Sequence, residues 1–249
     1  MRVRGTVEYI GTSWAGWQLQ TGAPTIQGEI EKALAVVTRR PVRIHAAGRT
    51  DAGVHASGQV IAFELDDDVD LDRLTRSINA LTDPSITIVE LVPVAASFDP
   101  RRHAVSRTYE YTIVNARPPS PFLAGRSWHL HAPLDIEHLQ RQASMLVGEH
   151  DFSAFRAADC ESPSTRRRVS ESVWLRDGHV LVYRISATAF LKQMVRALVG
   201  SMVDVSTGKL PEATFARLID GGSRTQAGQT APAAGLVLVR VDYPQQSRG

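Results

Sequence analysis

The 249 residues, 43% hydrophobic and 22% charged, carry enough apolar material for one large or two small cores and exclude a disordered or fibrous chain. The formal net charge is only +2 although 28 residues are basic, so charge alone neither demands nor excludes a polyanionic partner. A single cysteine, Cys160, excludes an internal disulfide and a cysteine metal cage; with no apolar run of membrane length and no signal-peptide pattern after Met1, the expected location is the cytoplasm.

Taken in order, Arg2 to Ile10 alternates as a strand with Val3, Gly5, Val7 and Tyr9 on one side. A loop with Trp14 and Trp17 follows, and Thr25 caps a predicted helix carrying Ile26, Ile30, Leu34 and Val37 in one stripe. Strand Val42 to His45 leads into a loop, and Gln59 to Leu65 leads out of it as another strand. Asp70 caps a second helix with Leu71, Leu74, Ile78 and Leu81 in register, and Ile86 to Val94 completes a βαββαβ order. That order is the ferredoxin-like arrangement of RNA-recognition sheets.

Beyond a seam in the Pro93–Pro100 stretch, Arg107 to Val114 reads as a strand, and Asp135 caps a helix with Ile136, Leu139, Ala143 and Leu146 that Gly148 stops. Asp177-Gly178 joins Val169–Arg176 to His179–Ala187 as a hairpin. Phe190, Leu191, Met194, Val195, Leu198, Val199 and Met202 mark a buried helix ending near Gly208; Pro211 starts a short helix, and Leu236 to Tyr243 is a final strand. The expected fold is α+β: two ferredoxin-like, RRM-like βαββαβ halves, 1–100 and 101–244, with side-by-side antiparallel sheets, a central cleft and a disordered tail, 245–249.

The loop Ala46–Gln59 contains Gly48, Gly53 and Gly58 and almost no bulk around one carboxylate, Asp51, flanked by Arg49 and His55. It is not a P-loop, because Val54 and His55 stand where that motif needs Lys and Ser or Thr. It is not a dinucleotide fingerprint either, because a strand and not a helix follows. What remains is a carboxylate for chemistry or a tight turn whose Asp bonds its own backbone.

Arg196 is a charge in the middle of an apolar helix and needs a carboxylate or carbonyl partner, either a structural acid or Asp51 itself. An arginine so placed keeps a carboxylate ionised and available as nucleophile or base. Tyr109 and Tyr111 share one strand face, as sheet packing or as a stacking surface for a base. Arg101, Arg102, Arg107 and the run Arg166-Arg167-Arg168 suit either solvent or phosphate. The acidic run Asp66 to Asp70 reads as a turn and helix cap, His129 and His131 lack a third zinc ligand, Asp135 and Asp151 are a helix cap and a turn, not a glycosidase pair, and Cys160 has no basic neighbour in sequence, so no metal or reactive thiol is expected.

Gly48-Arg49-Thr50-Asp51-Ala52-Gly53-Val54-His55 resembles the signature of the bacterial tRNA pseudouridine synthase A family. The resemblance extends through Gly16-Trp17-Gln18-x-Gln20, Ile26-Gln27-Gly28-Glu29, Tyr109-x-Tyr111, Asp151-Phe152-x-x-Phe155, Phe190-x-x-x-Met194-Val195-Arg196 and Gly235-Leu236. It implies isomerisation of uridine to pseudouridine at positions 38 to 40 of the tRNA anticodon arm, without cofactor or metal, by a homodimer whose subunits share one tRNA. It further implies that Asp51 is the catalytic carboxylate, that Tyr109 stacks on the target uracil, that Arg196 pairs with Asp51, and that Arg49 helps hold the flipped-out nucleotide. The glycosidic bond moves from N1 to C5, and one carboxylate suffices whether it attacks the ribose, attacks the ring or removes a ribose proton. Ile10, Thr188 and Gln193 depart from residues frequent in the family. The competing readings are a silent RNA-binding module on the same sheets and a nucleotide-binding enzyme using the glycine loop.

Overall fold

The computed structural model describes residues 1–66 and 68–244. The chain divides into two units, Met1–Val105 together with the stretch from Val237 onward, and Ser106–Leu236.

In the first unit, strand β1 (Arg2–Tyr9) buries alternate residues as its pattern predicts. Helix α1 (Ile26–Thr38) starts where the Thr25 side chain accepts the Gly28 N–H, and buries Ile26, Ile30, Ala33 and Leu34. Strand β2 is only His45–Ala46, shorter than the strand expected from Val42. Strand β3 (His55–Glu64) is buried on both faces, which marks it as the unit's central strand. Helix α2 (Leu71–Leu81), capped by the Asp70 carboxylate, buries Leu74 and Ile78, and β4 (Ile86–Val94) follows. β1 lies between β3 and β4, antiparallel to both. β2 pairs the later part of β3, His45 opposite Ala62. Asp67 and residues 245–249, the expected tail, lie outside the described residues.

In the second unit, β5 (Ser106–Asn115) runs beside the short parallel strand β6 (Trp128–Leu130). Helix α3 (Ile136–Ser144) is capped by Asp135, whose carboxylate accepts the Glu137 and His138 N–H groups. β7 (Gly148–Asp151), β8 (Arg166–Asp177) and β9 (Val180–Ala187) continue an antiparallel order β5-β9-β8-β7. The β8–β9 hairpin turns at Asp177-Gly178, with Gly178 at φ 56°. Helix α4 (Met194–Ser206) is almost wholly buried, and α5 (Glu212–Leu218) is short. The motif Asp151-Phe152-x-x-Phe155 is a core device: both rings are fully buried, and Phe155 meets Phe215 edge-on at 5.9 Å.

Three expectations need correction. The seam expected at 100/101 falls at 105/106. The final strand, β10 (Leu236–Asp242), was expected in the second half but packs with the first, because Val237 and Leu238 pair in parallel with His55 and Ala56 of β3. Gly58 makes that approach possible, since a Cβ there would lie 2.3 Å from the Val239 carbonyl. Tyr243 then stacks near Phe98 at 5.1 Å and donates its hydroxyl to the Pro100 carbonyl at 2.7 Å. Phe190 and Leu191 precede α4 and are not part of it, because Gln193 takes a left-handed conformation, φ 62°, at the helix start. Strands β6 and β7 are too short to show a period.

Candidate active site

The Asp51 loop is clamped from three sides within the first unit. Gly16 sits at φ 96°, and a Cβ there would meet the Thr50 carbonyl at 2.8 Å and the Ala52 nitrogen at 3.1 Å. Only glycine lets the Trp17 loop lie this close to the backbone around Asp51. The next N–H, of Trp17, donates to Thr50 O at 3.0 Å, and Gly53 N–H donates to Trp14 O at 3.3 Å. Tyr9, whose ring lies 5.8 Å from that of Trp17, shares a buried 2.8 Å hydrogen bond with the Thr50 hydroxyl.

On the far side of the loop, Gln59 is fully buried and its amide donates to Gly48 O at 2.9 Å. His55 is only 2% exposed, and its Nδ1 accepts the Gly11 N–H at 2.9 Å, so this histidine braces the loop. Gln27 ties α1 to the same frame, with its N–H donating to Trp17 O and its side chain accepting the Leu19 N–H. Within this frame Asp51 is half-buried, its carbonyl accepts the Val54 N–H in a turn, and Arg49 is exposed.

The three loop glycines serve three purposes. Gly53, at φ 78°, makes the turn; Gly58 admits β10; a Cβ on Gly48 would meet no atom of the described residues beyond its chain neighbours within 4 Å. Among the described residues Gly48 therefore borders open space, next to Arg49 in the chain and three positions before Asp51.

In the second unit both tyrosines of β5 are buried. Tyr111 is fully buried, donates to the Pro232 carbonyl at 2.8 Å, and presses on Gly235, where a Cβ would lie 2.6 Å from its ring. Burial pushes its hydroxyl far above the ordinary 10, and the nearby Arg196 charge opposes this more weakly. Tyr111 is thus a neutral core residue. Tyr109 lies two residues earlier on the same face, 9% exposed, and meets Phe190 edge-on at 5.0 Å.

Arg196 is half-buried on α4, and its Nε donates to the Ala231 carbonyl at 2.8 Å while Ala231 N–H donates back to Arg196 O at 3.0 Å. A carbonyl partner is thus one of the two kinds its sequence position demands. Arg107 is not a surface phosphate contact: it is 9% exposed, with a terminal nitrogen on Thr188 O at 2.8 Å. Arg101 and Arg102 are exposed, and Arg166 pairs with Glu149 at 3.1 Å. Cys160 does have a basic neighbour in space, Arg167, although none in sequence. Among the described residues no three His, Cys, Asp or Glu side chains converge as metal ligands, and no helix is long and apolar enough to cross a membrane.

Sequence reasoning named Asp51, Arg49, Tyr109 and Arg196 but missed the residues that hold them: Gly16, Thr50, Gln59 and the 228–231 segment. Gly16 was visible as a glycine, but its positive φ was not.

The described site is a half-buried carboxylate on a braced small-residue turn of a mixed α/β protein. The family model described as tRNA pseudouridine synthase matches residues 6–101 and 143–244. Proteins named tRNA pseudouridine synthase A share 42% identity over 97% of this chain and 99% of the relative in Geotalea uraniireducens, and 41% over 97% and 92% in Myxococcus xanthus. A third, in Methylobacterium nodulans, shares 40% over 98% and 96%. The chain belongs to the tRNA pseudouridine synthase family, enzymes that isomerise uridine to pseudouridine in tRNA. Among solved structures, a chain of a Cbf5-Nop10-Gar1 complex aligns at TM-score 0.37 and 11% identity over 94% of this chain and 57% of that chain.

Proposed function

We propose that this protein converts uridine to pseudouridine at positions 38 to 40 of the tRNA anticodon arm, acting in the cytoplasm as a homodimer without metal or cofactor. Asp51 is the nucleophile or base, Arg196 is its ion-pair partner, Tyr109 stacks on the target uracil, and Arg49 supports the flipped-out nucleotide. The observation that carries the reading is the Gly48 position, three residues before Asp51 in the same loop, where a Cβ would meet no atom of the described residues beyond its chain neighbours within 4 Å. A base must leave its stack to be detached, turned and rejoined, and such space suits an extruded nucleotide. The buried brace of Tyr9, Thr50, His55 and Gln59 supports it further, because a reacting carboxylate gains most when its backbone cannot shift.

The test is to incubate the protein with unmodified tRNA transcripts and map pseudouridine along them. Product confined to positions 38 to 40 is expected. Binding without product would make the protein a silent RNA-binding module, and product only outside the anticodon arm would overturn the positions.

A further inference from the structure

The 228–231 segment runs along α4 and is pinned to it at successive points. Gly228 N–H donates to the Ser201 hydroxyl at 3.0 Å, and that hydroxyl donates to Ala197 O at 2.7 Å. Gln229 is held twice by one carboxylate: its N–H donates to Asp204 Oδ2 at 2.8 Å and its side-chain amide to Asp204 Oδ1 at 2.7 Å. Arg224 fixes the outer edge, donating to Gly228 O at 2.7 Å and to the Thr230 hydroxyl at 2.6 Å. The segment then reaches Ala231, whose carbonyl takes the Arg196 Nε.

Asp204 is 7% exposed, and both of its donors on Gln229 are neutral. Burying a carboxylate is costly, and hydrophobic packing alone would be served by an alanine or leucine. A carboxylate does something neither of those can, because its two oxygens accept from two donors on one residue at once. An asparagine offers one acceptor oxygen and turns an NH2 toward the other donor. Gly200 and Gly228 give the segment room: a Cβ on Gly200 would lie 1.9 Å from Gln229 O, and one on Gly228 would lie 2.7 Å from Asp204 Oδ2. Asp204 and Arg196 are separated by about 12 Å of helix at 1.5 Å rise per residue. Gln229 and Ala231, two residues apart, bridge that separation together with the side chains of Asp204 and Arg196, and deliver one hydrogen bond at the far end.

We infer that Asp204 is a positioning residue for Arg196, acting through Gln229 and the Ala231 carbonyl to set the direction of the guanidinium. With Nε held by Ala231, rotation about the last side-chain bonds is restricted, and the fork of the terminal nitrogens is aimed before substrate arrives. The inference rests on the proposed role of Arg196 and reaches beyond it, because Asp204 touches neither substrate nor reacting atoms.

The experiment is a double-mutant cycle on the full-length protein with tRNA transcript, reading kcat, KM and tRNA Kd for Asp204→Asn, Arg196→Ala and the double variant. Asp204→Asn is expected to lower kcat about tenfold with Kd unchanged within about twofold, and the double variant is expected to be no slower than Arg196→Ala alone. A thermal melt reports folding; if Asp204→Asn fails to fold, Gln229→Ala, which removes the side-chain arm of the contact, replaces it in the same cycle. Asp204→Glu should restore part of the rate if the paired acceptors are what matters. Effects that multiply in the double variant, or an unchanged kcat, would overturn the inference while leaving the isomerase reading intact. Full activity in Arg196→Ala would instead overturn the role of Arg196, and this inference with it.

Discussion

The loop around Asp51 and the segment beside Arg196 are both built largely from glycine, alanine and threonine, yet their missing side chains do opposite things. Beside Arg196 the protein fills the space itself: Gly200, Gly228 and Gly235 each face another part of the second unit at a distance no Cβ could tolerate. Beside Asp51, Gly16 and Gly58 are filled in the same way, but Gly48 faces nothing within 4 Å. Small residues in a sequence signal close approach, and the structure tells whether what approaches is the chain or something else. Of Gly16, Gly48, Gly58, Gly200, Gly228 and Gly235, Gly48 is the one with nothing facing it among the described residues.

Substitution can break this contrast. The largest effect is expected at Gly200→Ala. Alanine gains about 1 kcal/mol of helix propensity over glycine, but forcing a methyl against the Gln229 carbonyl separates the segment from α4 and should cost about 3 kcal/mol net, seen as a lowered unfolding midpoint in urea. Gly48→Ala should behave in reverse, with stability within about 0.5 kcal/mol of the parent and turnover on tRNA lowered about tenfold, equivalent to about 1.4 kcal/mol. If Gly48→Ala turned over tRNA normally, the space beside it would have no role in admitting substrate.

A smaller change is expected where α4 begins. Gln193 holds φ 62° and ψ 5°, a conformation that disfavours a side chain, so Gln193→Gly should raise stability by about 0.5 kcal/mol once the extra freedom of glycine in the unfolded chain is counted. Calorimetry would show this, and a loss of stability would mean that the glutamine side chain contributes contacts outweighing the strain.

The smallest effect is at Asp151. Its carboxyl is held below the ordinary 3.8 chiefly by the Thr165 hydroxyl and further by Ser153. A lowered folded-state value stabilises the protein above the unfolded value and is lost as pH falls through the lowered one, so the contribution is complete above about pH 5 and fades below about pH 4. Thr165→Val should flatten the acid limb of the stability curve there and leave the midpoint dependence near pH 7 unchanged.

Much of this was legible beforehand because local rules and tertiary structure agree. Thr25, Asp70 and Asp135 cap the helices they were expected to cap, and β1 buries Val3, Val7 and Tyr9 as its alternation requires. Asp51 stood out as the one carboxylate in a loop of glycines and alanines, although a tight turn alone also accounts for an aspartate there. What was hidden depends on non-local partners. The last strand joins the first unit through two residue pairs with β3, a choice its own alternation cannot encode. Tyr109 and Tyr111 look equivalent in sequence, and only the structure shows that the second is the more deeply buried, held by the Pro232 carbonyl and pressed on Gly235. Asp204 reads as an ordinary acid near a helix end until Gln229 is seen folded back on it.

The central claim is that the Asp51 carboxylate carries the chemistry. The direct measurement is pseudouridine formation and tRNA binding by Asp51→Asn, an isosteric change that keeps the loop and removes the charge. The expected result is tRNA affinity unchanged within about twofold and product formation lost by a factor of about 10⁴ or more, the scale on which a lone nucleophile or base acts. Product at the parental rate would contradict it.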